Sequence, residues 1–234
     1  MHEIEFDGVE LHRVYGVYIS DDGIYSAPER DMEAVQIPGR NGDLHIDNGR
    51  YSNQTITYTA GIAHDWRRNY DALKAFLLSR EGYCRLRDSF RLGVFRKAMF
   101  TGTMQGTPNK SLKQISFELQ FSADPRMFLL EGEEEITLTA SGSILNQTLF
   151  SSYPIITVYG TGSLLIGDQM IKVTANTSSG ITIDCETMNA TSGATDANGS
   201  VSLPMERVTL APGANAIGIT GLTKVVITPR WYTL

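Results

Sequence analysis

The chain has 234 residues, of which 41% are hydrophobic, and 20 Lys and Arg stand against 26 Asp and Glu for a net charge of −6. This length favours two modest domains, and the acidic balance does not favour a surface for duplex DNA. No apolar run approaches the ~20 residues of a membrane helix, so a membrane-spanning helix is not expected. No secretory leader is visible, so a secretory signal is not expected either. Cys84 and Cys185 are expected to be free thiols, as in a reducing cytoplasm.

Short strands are predicted for the first part of the sequence. Apolar and polar residues alternate in segments 3–19 and 54–59, which predicts two strands in the first segment and one in the second. Segment 28–32 is charged and is predicted to be a loop. Two strands are predicted to be joined by the turn IPGRNGDL at 37–44. In this turn the proline fixes φ, and the glycines permit positive φ. Asn41-Gly42 is the strongest dipeptide signal for a tight hairpin, so we predict a rigid tip that carries arginine.

A single helix follows these strands. Apolar residues recur at helical spacing from Trp66 to Leu77, with Asp65 placed as N-cap and Gly82 as C-terminal cap. Residues 83–105 are predicted to form a β-hairpin. Residues 114–122 are predicted to form a core strand that turns four apolar side chains to one face: Ile115, Phe117, Leu119 and Phe121.

The composition changes near residue 131. Residues 1–130 hold 16 Lys and Arg and 17 Asp and Glu, whereas residues 131–234 hold 4 and 9. We therefore predict an N-terminal domain of residues 1–130 and a C-terminal domain of residues 131–234. Short strands in the second part are separated by glycine-containing turns, among them 160–162 and 167–168, and this pattern is typical of a β-sandwich or jelly roll. The predicted fold class is mainly β with one helix, an α+β fold.

The order of these elements resembles the distal tail protein, or tail hub, family of siphophages, the bacteriophages with long flexible tails. The resemblance is carried by IPGRNGDL at 37–44, one helix, a hairpin and FELQF at 117–121 before Asp124-Pro125. It continues with YPIITVYG at 153–160 and LAPGAN at 210–215. It implies a β-barrel or split-barrel ring domain in residues 1–130, with a helix and a β-hairpin, and a galectin-like β-sandwich in residues 131–234.

The resemblance also implies a structural virion protein that is not an enzyme and has no cofactor, metal or membrane partner. Its N-terminal domains would form a homo-hexameric hub ring, single or stacked, at the distal end of the tail after assembly in the host cytoplasm. The expected partners are the major tail tube protein, the tape-measure protein and a tail-tip, baseplate or receptor-binding protein used in host attachment. DNA would only pass through the central channel in transit.

Two groups of residues are candidates for assembly contacts. Arg40, with Asn41 and Asp43, is the first candidate, because a tip held rigid by proline and glycine loses little entropy on docking. The alternative is a solvated hairpin tip. The second group is a set of cations on the predicted hairpin that would face the ring lumen or an inter-subunit interface, or be solvated: Arg85, Arg87, Arg91, Arg96 and Lys97.

Other functional hypotheses stay open at this point. Asp43, His45 and Asp47 share one strand face, which is a metal or acid–base pattern, although a plain polar face is the simpler interpretation. An alternative function is a carbohydrate-binding protein that recognises a bacterial surface glycan through its C-terminal domain, with aromatic side chains that stack on sugar or else belong to the sandwich core: Tyr159, Trp231 and Tyr232. A hydrolase with a dispersed active site is a third hypothesis, since no known catalytic motif is found.

Overall fold

The computed structural model describes residues 2–20, 25–175 and 179–234. The chain divides into two compact units, one of residues 1–127 with Leu234 and one of residues 128–233. The boundary predicted from composition, after residue 130, lies three residues further along the chain.

The described residues of the first unit form two helices among their strands. In chain order its elements are β1 (Ile4–Phe6), β2 (Val9–Glu10), α1 (Leu11–Tyr15), β3 (Val17–Ile19), β4 (Arg30–Val35), β5 (Leu44–Tyr51), β6 (Gln54–Ile62), α2 (Trp66–Leu78), β7 (Cys84–Asp88), β8 (Val94–Phe100), β9 (Gly106–Asn109) and β10 (Gln114–Ala123). Strand β11 (Met127–Leu129) spans the division between the units.

One antiparallel sheet organises the first unit, with strand order β2-β1-β7-β8-β10-β6-β3 and β9 also paired to β10. The longest pairing joins β10 to β6 and sets Phe117 opposite Ala60 and Phe121 opposite Ile56. The predicted core face of β10 is confirmed, because its four apolar side chains are all buried. They form one core with α2, whose Leu73 is also buried.

Helix α2 confirms the predicted helix and the position of its N-cap but not its predicted C-terminal cap. Asp65 is at the N-cap position with φ 46°, and its side chain makes no capping hydrogen bond. The helix ends at Leu78, and the backbone N–H of Ser79 donates to the carbonyl of Ala75, so Gly82 lies beyond the cap. The two predicted strands of segment 3–19 are also interrupted by the short helix α1.

The second unit is built from strands with two short 3₁₀ turns. Its elements are η1 (Leu130–Glu133), β12 (Ile136–Leu138), β13 (Gly142–Asn146), β14 (Ile155–Ile166), β15 (Gln169–Val173), β16 (Ile181–Asp184), β17 (Asn189–Ser192), β18 (Thr195–Asp196), η2 (Asn198–Ser200), β19 (Val201–Ser202), β20 (Gly213–Thr228) and β21 (Tyr232–Thr233). The main strand order is β12-β20-β14-β16-β17-β18, with β13 on β20, β15 on β14 and β19 on β15. The mainly β fold class with helices is confirmed, and the galectin-like description stays a prediction.

The predicted turn at residues 160–162 lies inside strand β14. The register between β14 and β20 shifts at Gly160 and again before Ser163, so these glycines form an irregularity in a continuous pair of strands. Gly162 has φ 151°, and a Cβ placed on it would lie 2.0 Å from the carbonyl oxygen of Thr220. Glycine here permits a close approach of two backbones, which local sequence does not distinguish from a chain reversal.

Both cysteines are free thiols, as predicted. Cys185 is fully buried in the second unit, and burial raises its pKa to about 12, so its thiol stays protonated at neutral pH. Over the ranges that the structure describes, no helix has the length and apolar character to cross a membrane.

Candidate assembly surface

Strands β4 and β5 form a separate two-stranded sheet, which we call the hairpin arm (residues 30–51). Val35 lies opposite Leu44 and Glu33 opposite Ile46, and the register shifts between Arg30 and Met32. Among the described strands, β4 and β5 pair only with each other. Over the described residues, the arm is therefore not a continuation of either main sheet.

The tip of the arm turns at Pro38-Gly39. The backbone N–H of Arg40 donates to the carbonyl of Ile37 over 3.1 Å, and Gly39 has φ 83°. Proline at the first central position and a glycine with positive φ at the second are typical of a type II turn. The predicted turn was centred three residues later, at Asn41-Gly42. Competition between two turn signals in one loop explains the difference.

The side chains at the tip are open to solvent. Arg40, Asn41 and Asp43 are all exposed. Within the described part of the chain, the Arg40 side chain has no hydrogen bond or ion pair. The tip therefore presents to solvent one arginine, together with the amide of Asn41 and the carboxylate of Asp43.

The arm also exposes apolar side chains on both faces. Leu44 and Ile46 lie on one face with 40% and 44% of their surface exposed, and Met32 on the other with 52%. A lone two-stranded hairpin is marginally stable in water, and exposed apolar strand faces are sites for association. Sequence reasoning missed Met32, because the charged segment around it indicated a loop. The arm thus leaves apolar side chains exposed on both of its faces.

Charged groups hold the base of the arm together. Arg30 pairs with Asp47, and Arg50 Nε donates to Asp31 over 2.5 Å. The hydrogen bond from Arg30 lowers the pKa of Asp47, and bonds from Asn48 and then Arg50 lower that of Asp31. Asp47 is therefore engaged within the arm and not free beside Asp43 and His45. Among the described residues, no group of three or more His, Cys, Asp and Glu side chains is arranged to hold a metal ion.

The five predicted cations near β7 and β8 do not share one surface. Strand register sets Arg85 opposite Lys97 and Leu86 opposite Arg96, so Arg96 points to the other face of the sheet from Arg85. The Arg85 guanidinium lies 4.0 Å from the centre of the Phe95 ring. Arg87 Nη1 donates to Glu5 over 3.2 Å, and Arg91 Nη1 to Met127 Sδ over 3.0 Å. Arg96 itself is 7% exposed.

The three aromatic residues considered for sugar stacking have different environments. Trp231 is 8% exposed and belongs to the core of the second unit. Lys224 Nζ lies 4.1 Å from the centre of the Tyr159 ring. Tyr232 stacks on Phe150 at 5.6 Å between ring centres. One face of each tyrosine ring is thus used within the chain, and Trp231 is not available at the surface.

Comparison with solved structures places this geometry in a known fold. The crystal structure of SPP1 Dit is described as a paradigm of the hub adsorption apparatus in phages that infect Gram-positive bacteria. It superposes with a TM-score of 0.77 at 17% identity, over 100% of both chains. This chain has the fold of a phage tail hub protein. Chains of the phage P2 baseplate, in its activated conformation with Ca and with Sr, match with TM-scores of 0.57 and 0.54 at 10% identity. Each alignment covers 97% of this chain and 96% of the other.

The likeness extends over both units of the hub fold. No protein-family model matches the chain, and no curated protein does. With identities of 10% to 17%, the backbone arrangement carries the likeness and individual side chains do not. The resemblance predicted from motif order is thus confirmed at the level of fold.

An ion pair between Asp124 and Arg126 lies near the end of the first unit, at the Asp124-Pro125 motif. Arg126 donates to Asp124 from Nε over 2.9 Å and from Nη2 over 2.7 Å, and its backbone N–H also donates over 2.9 Å. The Asp124 and Arg126 side chains are only 17% and 21% exposed. Burial alone would raise the pKa of Asp124, but the bonds from Arg126 outweigh it and the pKa is lowered.

We expect Asp124→Asn to lower the free energy of unfolding by about 2 kcal/mol at pH 7, because a partly buried charged hydrogen-bond network is broken. The folded carboxyl has a lowered pKa, so its contribution is present above the unfolded value of about 3.9 and is lost as the pH falls through the folded value. Urea unfolding at pH 7 and pH 3 should therefore show a difference from wild type that shrinks in acid. Asp71→Asn, in an exposed pair with Lys74, is the control and should change little at either pH. An equal loss at both pH values would contradict the account.

Proposed function

We propose that this protein is a structural phage tail protein whose copies form a hexameric hub ring at the distal end of the tail. The ring joins the tail tube and the tape-measure protein to the tail-tip or baseplate proteins, and DNA passes through its central channel. The protein assembles in the host cytoplasm and functions in the virion. The observation that carries the proposal is a hairpin arm whose strands pair only with each other among the described strands, on a chain with the hub fold over its whole length.

The arm explains how one chain can build a closed ring. A ring repeats the same interface between different surfaces at each step, so each copy needs a projecting surface and a receiving one. The arm provides the projecting surface, because Leu44, Ile46 and Met32 are exposed and its strands pair with no other sheet in the part of the chain that the structure describes. Docking it on the next copy removes this apolar surface from water, which is favourable.

Arg40 at the tip gives this docking a polar anchor. Charge complementarity at an interface fixes its register, and a like charge placed opposite is strongly unfavourable. Arg40 is exposed, and the Pro38-Gly39 turn holds its backbone. The five cations near β7 and β8 are not included in the proposal, because most make contacts within the chain.

We expect Arg40→Glu to weaken self-assembly roughly tenfold or more while the monomer stays folded, since the side chain has no role in the core. Mass photometry over a dilution series measures the change, and circular dichroism checks the fold. Arg13→Glu reverses a charge at another exposed position of the first unit and should assemble normally. Normal assembly by Arg40→Glu would mean that Arg40 is not part of the interface. The proposed interface would then consist of the apolar faces of the arm alone.

A further inference from the structure

The chain contains three Asn-Gly pairs, at residues 41–42, 48–49 and 198–199. In such a pair the backbone nitrogen of the glycine can attack the side-chain amide carbon of the asparagine, since glycine has no Cβ to shield that nitrogen. The attack requires a free amide, a free backbone N–H and a backbone that can rotate to bring the two atoms together. The three pairs therefore differ in reactivity wherever the fold holds them differently.

The pair at the tip of the hairpin arm is held least. Asn41 and Gly42 lie outside strands β4 and β5, and both residues are exposed. Over the ranges that the structure describes, neither the Asn41 amide nor the Gly42 N–H makes a hydrogen bond. Gly42 has φ 82°, and nothing lies within 4 Å of its Cβ position, so the space on that side of its backbone is open.

The second pair is also exposed but is fixed inside strand β5. Asn48 Nδ2 donates to Asp31 Oδ1 over 3.0 Å, and the Gly49 N–H donates to Asp47 Oδ1 over 2.9 Å. The amide and the attacking nitrogen thus both have partners, and the strand keeps the backbone between them extended. Reaction here requires these hydrogen bonds to break first.

The third pair is held by its asparagine side chain. Asn198 Nδ2 donates to Asn189 Oδ1 over 2.7 Å and to Asp196 Oδ1 over 2.6 Å. Asn198 Oδ1 accepts the backbone N–H of Ala190 over 2.8 Å. These hydrogen bonds join the turn η2 to strand β17, so a rotation of the amide toward Gly199 breaks all of them.

We propose that Asn41 is a site of spontaneous deamidation in the folded protein, and that Asn48 and Asn198 are protected from it. The backbone nitrogen of Gly42 loses its proton to the solvent and forms a bond to Cγ of Asn41. The Cγ–Nδ2 bond breaks, and Nδ2 takes up a proton and leaves as ammonia. Water then opens the resulting cyclic imide, at Cγ to give aspartate or at the backbone carbonyl of Asn41 to give isoaspartate. One water is consumed for each ammonia released.

The reaction changes the charge of the arm tip. The new carboxyl group has an ordinary pKa of about 3.9 and is therefore ionised at neutral pH. The tip already carries Arg40 and Asp43, so it then holds one cation and two carboxylates. In the isoaspartate form the backbone also runs through Cβ, which lengthens the tip by one carbon. The reaction belongs to the single chain and does not rest on the proposed ring.

The proposal is tested by incubating the purified full chain, diluted, at 37 °C and pH 8, and following each Asn-Gly pair by peptide mapping with tandem mass spectrometry. We expect Asn41 to deamidate roughly tenfold or more faster than Asn48 or Asn198, because those two react only after local opening. In urea, where the fold is lost, the three rates should converge. Equal rates in the folded chain, or an Asn41 that stays intact there while it reacts in urea, would overturn the proposal.

Two variants provide a second readout. Native isoelectric focusing should show a more acidic species that accumulates in wild type and in Asn48→Gln but not in Asn41→Gln, because glutamine has to close a larger ring, which forms more slowly. Accumulation in Asn41→Gln at the wild-type rate would contradict the assignment to Asn41. Both aspartate and isoaspartate should be found at residue 41, whereas aspartate alone would mean direct hydrolysis and overturn the cyclic route.

Discussion

Replacing Leu44 and Ile46 together with aspartate should abolish ring assembly and leave a folded monomer. Both side chains lie on one face of the hairpin arm and are 40% and 44% exposed, so the core of the single chain does not depend on them. Full burial of an exposed Leu or Ile contributes about 1.5–3 kcal/mol, so covering the exposed 40% and 44% of these two side chains contributes roughly 0.6–1.3 kcal/mol each. Aspartate at the same positions would place unpaired carboxylates in an apolar contact, which is strongly unfavourable.

The effect is large because a closed ring repeats it at every interface. Size-exclusion chromatography with light scattering measures the loss, and the thermal midpoint of the variant checks its fold. Leu149→Asp with Met205→Asp is the matched control, since both side chains are exposed in the second unit, outside the arm. A Leu44 and Ile46 double variant that assembles as wild type would show that this face of the arm is not an interface.

The largest effect on stability is expected for Gly162→Ala in the second unit. Gly162 has φ 151°, and its Cβ would lie 2.0 Å from Thr220 O and 2.9 Å from Gly221 Cα. Both atoms belong to the backbone of β20, so relief requires β14 and β20 to separate. We expect the free energy of unfolding to fall by about 3 kcal/mol or more, and the melting temperature of this unit to fall by roughly 10 °C or more.

Gly193→Ala is the matched control for backbone strain without a clash. Gly193 also has positive φ, 60°, but nothing lies within 4 Å of its Cβ position. The free energy of unfolding of Gly193→Ala should be lower than that of wild type by only about 1–2 kcal/mol. Differential scanning calorimetry of both variants separates the two effects. Equal losses would mean that φ alone, and not the approach of β20, determines the need for glycine at residue 162.

Periodicity within one segment predicted the elements that local sequence controls. The alternation of Ile115, Phe117, Leu119 and Phe121 predicted a core strand, and the spacing from Trp66 to Leu77 predicted α2. Both are confirmed, because a strand face and a helix face are properties of consecutive residues. The order of the elements was sufficient to suggest the hub fold.

Features that depend on distant residues were not predictable in the same way. Gly162 was assigned to a turn because nothing in segment 160–162 reveals that β20 continues beside it. The separate pairing of β4 with β5 leaves Met32 exposed, and only the strand order shows this. Arg96 is different, since it alternates with Phe95 and Lys97 and shares the face of Ala98. Strict period two could have separated it from the other cations.

The mass and shape of the purified wild-type chain test the ring most directly. Mass photometry over a range of concentrations, followed by negative-stain electron microscopy, should find closed rings of six 25.8 kDa chains around a central opening. A single-chain mass at every concentration, with no ring in the micrographs, would contradict the proposal that this protein is a hub.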